Sequence, residues 1–103
     1  KAYSKYTINN DHHNRMVHNY LSNVSRYSDS SYPMAFFTYI AGGFGNQIDR
    51  QIKSISAEAN VHGSAITVSN MIKLVEDQES TPRTHANLRD IFSVDRQIVL
   101  SDF

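Results

Sequence analysis

Pro33-Met34-Ala35-Phe36-Phe37-Thr38-Tyr39-Ile40-Ala41-Gly42-Gly43-Phe44 opens a stretch, residues 33–68, around which the rest of the chain is arranged. Met34 to Ala41 is apolar, aromatic-rich and of strand length. Gly42-Gly43 breaks it. Asn46 to Ala59 then carries Ile48, Ile52 and Ile55 at i, i+4 and i+7, which is one face of a helix. His62-Gly63 punctuates again, and Ala65-Ile66-Thr67-Val68 reads as a short second strand. A strand, a crossover helix and a second strand in so few residues make a βαβ unit with parallel pairing.

Upstream, Lys1-Ala2-Tyr3-Ser4 reads as the end of a strand. Asn9-Asn10-Asp11 supplies helix N-cap chemistry. Met16, Val17, Tyr20, Leu21 and Val24 then mark an amphipathic helix over residues 11–25. Residues 28–31 form a polar loop that Pro33 closes. Downstream, residues 68–75 read as a short helix through Met71, Ile72, Leu74 and Val75. The acidic residues 76–80 read as a solvated turn. Thr81-Pro82 suits the start of a further helix, with Pro in its first turn and Leu88, Ile91 and Phe92 on its apolar face. Gln97-Ile98-Val99-Leu100 is a final apolar segment, strand or extended tail.

The totals bound the function. A chain of 103 residues is at most one domain, and 40% hydrophobic residues suffice for a modest core. No apolar run is long enough to span a membrane, so no membrane partner is expected. With no cysteine there is neither disulfide nor thiolate metal site, which fits a reducing cytoplasm. Ten basic residues balance ten acidic ones, which argues against autonomous nucleic-acid binding but not against delivery to nucleic acid by another module. The chain opens on Lys-Ala-Tyr-Ser without an initiator Met, and is expected to be the C-terminal portion of a larger protein.

Pattern alone assembles no complete active site. His12, His13 and His18 lack the i, i+4 spacing of zinc helices and read as polar helix-surface residues; His62 reads as a turn residue. Gly42-Gly43-Phe44-Gly45-Asn46 lies between strand and helix, as phosphate-binding turns do. It lacks G-x-G-x-x-G spacing and a following Lys-Ser/Thr, so the glycines read as permitting a tight turn. Asp49 and Glu58 read as solvated helix carboxylates, and Ser54, Ser56 and Ser64 lie in no nucleophile elbow.

Several short motifs, taken in order, carry a resemblance. Lys1-Ala2-Tyr3-Ser4 resembles the K-A-Y-S that closes the D-x-K-A-Y-S motif of FokI-like type IIS restriction endonuclease cleavage domains. Ile40-Ala41-Gly42-Gly43-Phe44 resembles that family's strand ending in [VI]-S-G-x-F, and Gln51, seven residues on, matches its helix glutamine. Residues 60–70 resemble N-x-N-G-[AS]-[AV]-V-x-V-x-x-L-L. Thr84 to Phe92 resembles the T-x-E-E-L helix, and Ile98-Val99-Leu100 the closing residues. The likeness covers essentially the whole chain and is weak at residues 5–15 and 26–32.

The resemblance implies a restriction-endonuclease-like α/β core of the PD-(D/E)xK superfamily, a mixed sheet flanked by helices that contains the βαβ unit. It implies Mg²⁺ as cofactor and double-stranded DNA as partner, in a bacterial, cytoplasmic restriction-modification setting. The implied site holds two metal-binding carboxylates and a lysine. Phosphodiester hydrolysis builds negative charge on the phosphorane and the leaving oxygen, which divalent metal stabilises while lowering the pKa of the attacking water. Lys1 matches the lysine, which orients or activates that water. The carboxylates are expected upstream of Lys1, one of them two residues before it. Residues 1–103 are therefore expected to be the C-terminal portion of a single cleavage domain, inactive alone. A separate domain or subunit is expected to recognise sequence. A homodimer is a possible assembly for cutting both strands, although Arg15 and Asn19 stand where the family carries an acid and a base that pair across its dimer. The rival within the fold is an inactive DNA-binding or assembly module. A response-type regulatory domain needs an Asp at a strand end, which the strand ending at Ala41 lacks.

Overall fold

The computed structural model describes residues 5–20 and 36–103. Lys1 and its three neighbours, Met34-Ala35, and residues 21–25 of the expected first helix lie outside the described residues.

The sequence-expected βαβ unit is present. Strand β1 (Phe36–Ala41) and strand β2 (His62–Thr67) pair in parallel from Phe36 opposite His62 to Ala41 opposite Thr67. Helix α2 (Ile48–Ala59) joins them and buries Ile48, Ile52 and Ile55. It starts two residues later than Asn46. It stops at Asn60, which still donates its N–H to the Ser56 carbonyl but whose left-handed backbone (φ 56°) turns the following chain off the helix. β2 begins three residues before Ala65, because Gly63 is not punctuation but a strand residue. The Phe37 ring covers it so closely that a Cβ there would lie 2.0 Å from a ring carbon.

After β2 the helices differ from their sequence-expected bounds. Helix α3 (Val68–Ser80) starts at Val68, with Thr67 as N-cap accepting from the Asn70 N–H, and continues through the acidic residues 76–80. Those residues are helix, not turn. Arg83 holds the end of α3 by bonding the Asp77 carboxylate and the Gln78 side chain. The next helix, α4 (His85–Phe92), starts beyond Thr81-Pro82. Thr84 is its N-cap and exchanges hydrogen bonds with Asn87 in a capping box. Strand β3 (Arg96–Gln97) then pairs in parallel with β2, and a 3₁₀ turn (Leu100–Asp102) follows. Residues 97–100 are thus part strand and part turn, with Ile98 fully buried between them.

The described strands lie in the order β1-β2-β3, all parallel. Alternation along each strand separates two cores. Phe37 and Ala65 pack with Ile8, Val17 and the three α2 isoleucines on one face. Ile66 packs with Leu74, Ile91, Phe92 and Ile98 on the other, where Phe36 stacks on Phe92. Helices therefore flank the sheet on both sides. The crossovers β1-α2-β2 and β2-α3-α4-β3 step the same way across the sheet on opposite faces, so they have opposite hands.

The first helix, α1, begins as Asn10–Asn14, capped by the Asn9 side chain on the His12 N–H, and continues as a π-helix over Arg15–Tyr20. The π turn brings residues five apart onto one face.

Candidate functional site

The chain that follows Lys1 meets the sheet at Tyr6. Its N–H donates to the Gly43 carbonyl at 2.6 Å, and its own carbonyl accepts from the Gly45 N–H at 3.0 Å. This is a parallel bridge between Tyr6 and Phe44, just past the C-terminal end of β1. Gly45 permits it: a Cβ there would stand 2.7 Å from the Thr7 hydroxyl oxygen. No described glycine has positive φ, so in this turn Gly45 is needed for close approach rather than for a left-handed backbone, while a Cβ on Gly42 would meet nothing within 4 Å.

Gln51, singled out in the sequence as a motif residue, fastens the same segment. Its amide nitrogen donates to the Ile8 carbonyl at 2.7 Å, and its oxygen accepts from the Ile8 N–H at 3.3 Å. The side chain thus stands in for a neighbouring strand on both polar groups of Ile8.

Tyr6 is also the hub of an aromatic cluster. Its ring stacks on His12 (centroids 5.6 Å apart) and on Tyr39 (5.9 Å), and meets Phe44 edge-on. Its hydroxyl hydrogen-bonds His12 Nδ1, and burial pushes its pKa up. His12 is therefore half-buried against Tyr6 and not a plain helix-surface residue. Tyr6, His12, Arg15, Met16 and Tyr39 line a cleft of about 230 Å³. Arg15 reaches Asp11 at 3.0 Å, one helical turn away.

His13, His18, Asp49 and Glu58 lie on helices as the sequence reading has them, and each also has a partner there; only His62 departs from its turn reading. His13 and His18, five apart across the π turn, both face Glu58, at 3.4 and 3.7 Å. Asp49 accepts from the Gln97 N–H at 2.8 Å and so anchors β3 to α2. His62 is a strand residue whose Nδ1 lies 2.9 Å from the Asp95 carboxylate. Burial pushes the Asp95 carboxyl up, but the Gly63 N–H, His62 and Ser56 outweigh it and hold it below the usual range. Asp102 is held low by the Arg96 guanidinium, against burial and with help from the Val99 N–H; its carboxylate takes both Arg96 amino groups, at 2.6 and 2.9 Å. Ser64 is fully buried and donates to the Thr38 hydroxyl.

Among the described residues no group of three or more His, Asp or Glu side chains is arranged to hold a metal ion. These residues do not fit a Mg²⁺ site. Among them no helix is long and apolar enough to cross a membrane.

The family model of the FokI cleavage domain matches residues 1–99. The chain belongs to the FokI cleavage domain family. No curated protein and no solved structure matches it. The family is that of type IIS DNA endonuclease cleavage domains, for which DNA is the substrate. The matched span takes in Lys1, the Tyr6–Phe44 bridge, the whole βαβ unit and both helices of the opposite face. Sequence reasoning missed Tyr6, His12 and Arg15 as one cluster. The only signal was an aromatic residue shortly after K-A-Y-S and a His-Arg pair on the following helix.

Proposed function

We propose that this chain is the lysine-bearing and downstream part of a Mg²⁺-dependent cleavage domain that hydrolyses phosphodiester bonds of double-stranded DNA. The observation that carries the reading is the family match over residues 1–99, which begins at Lys1. The parallel bridge at Tyr6 supports it, because the segment downstream of Lys1 joins the sheet beside β1.

In this reading Lys1 places an ammonium at the scissile phosphate, where it orients the attacking water and offsets developing negative charge. The metal-holding carboxylates lie upstream of Lys1. Several described carboxylates have other work: Asp49 on Gln97, Glu58 on His13 and His18, Asp95 on His62 and Gly63, Asp102 on Arg96. A separate domain or subunit supplies sequence recognition, consistent with a formal charge of zero. Two copies act together when both strands are cut.

The test is conversion of supercoiled plasmid to nicked and linear forms by the full-length protein, with Mg²⁺ and with EDTA. Cleavage with Mg²⁺ alone supports the reading. DNA binding without cleavage under either condition identifies an inactive relative of the same fold.

A further inference from the structure

The cleft at Tyr6 combines an exposed guanidinium, a ring nitrogen and an apolar wall. Three aromatic neighbours fix the Tyr6 ring, and its hydroxyl occupies His12 Nδ1, so Nε2 lies outside that bond. When the hydroxyl donates, the ring proton sits on Nε2 and makes it a donor. The Arg15 side chain is 56% exposed, and its pairing with Asp11 is a surface contact worth under about 1 kcal/mol. A phosphodiester offers the guanidinium two acceptor oxygens and can displace that carboxylate. His13 and His18 face Glu58 instead.

Resting on the DNA-cleavage reading, we infer that this cleft is a contact site for a DNA backbone phosphodiester beside the cutting centre, held by Arg15 and the His12 ring. Tyr6 is the positioning residue: it orients His12 and is itself the point where the chain from Lys1 joins the sheet. A ligand phosphate here sets the register of the duplex against the Tyr6 segment. Asp11 is a built-in competitor for the guanidinium.

Equilibrium binding of the full-length protein to a short DNA duplex, in EDTA and over a series of salt concentrations, tests this. Arg15→Gln weakens binding and lowers the slope of log K against log salt by about 0.9, the value of one lost phosphate contact. Arg15→Lys keeps the slope, His12→Ala weakens binding, and Asp11→Asn tightens it. Arg89→Gln, an exposed arginine on α4, changes neither affinity nor slope. A duplex bound by Arg15→Gln with wild-type affinity and slope overturns the inference while leaving the nuclease reading intact. An equal loss in Arg89→Gln overturns it too, because the binding is then diffuse. A wild-type protein that neither binds nor cleaves DNA overturns both.

Discussion

Gln51 shows what a motif residue does in physical terms. It was legible in the sequence as a family position, but its role was not, because Ile8 lies 43 residues away and no local pattern links them. The amide satisfies both polar groups of a backbone unit that is packed into the core, where an unmet hydrogen bond is costly. Gln51→Ala is expected to cost about 1–3 kcal/mol by denaturant unfolding, through two lost hydrogen bonds. A loss within a few tenths of a kcal/mol would mean that water replaces the amide. The same limit hid the hydrogen bonds of Glu58 and Asp95 to histidines, which are 45 and 33 residues away. Asp95 and Asp102 sit below the ordinary carboxylate range, so their contribution is whole above about pH 4 and drains away as pH falls through the folded values. Asp95→Asn is expected to lower stability at neutral pH and to make the acid side of the stability profile shallower. A mutant profile parallel to that of the wild type would remove Asp95 from the acid response.

At the scale of elements, the βαβ unit was readable because its signals are strong and local. Three isoleucines at helical spacing fall on the buried face of α2, and the aromatic run forms β1. The helix ends were less readable because competing cap residues stood close together. Thr81-Pro82 looks like a start, yet the hydrogen bonds belong to Thr84 and Asn87. Acidic composition suggested a turn at residues 76–80, but Arg83 ties that end of α3 down and the helix persists. The π turn of α1 had no signature, since Met16 and Val17 fit either helix. The β1–β2 register depends on Gly63, which leaves room for the Phe37 ring. Gly63→Ala is expected to destabilise the fold by at least the 1–3 kcal/mol of an overpacked core. Adding Phe37→Leu should recover part of that loss, giving a favourable coupling in a double-mutant cycle. Strict additivity would mean that the ring and the glycine are not in contact.

Over the whole molecule, the sheet gathers what the sequence scatters. The segment at Tyr6 meets the chain just past the end of β1, while α2, through Gln51 and Asp49, holds both that segment and β3. The α/β class and the family were legible because their motifs recur in order along nearly the full chain. The cleft around Tyr6 was not, because it forms only when a loop, a helix and a strand meet. A chain of zero formal charge has no net basic surplus with which to hold DNA, which places the burden on particular cations and on a recognition module. The central claim is that Lys1 serves phosphodiester cleavage. The most direct test compares the full-length protein with its Lys1→Ala variant in Mg²⁺-dependent cleavage of supercoiled plasmid, with duplex binding measured alongside. The account predicts that cleavage falls by at least about a hundredfold, the loss typical of removing one group that stabilises transition-state charge, while binding is largely kept. Cleavage at the wild-type rate by Lys1→Ala would contradict it.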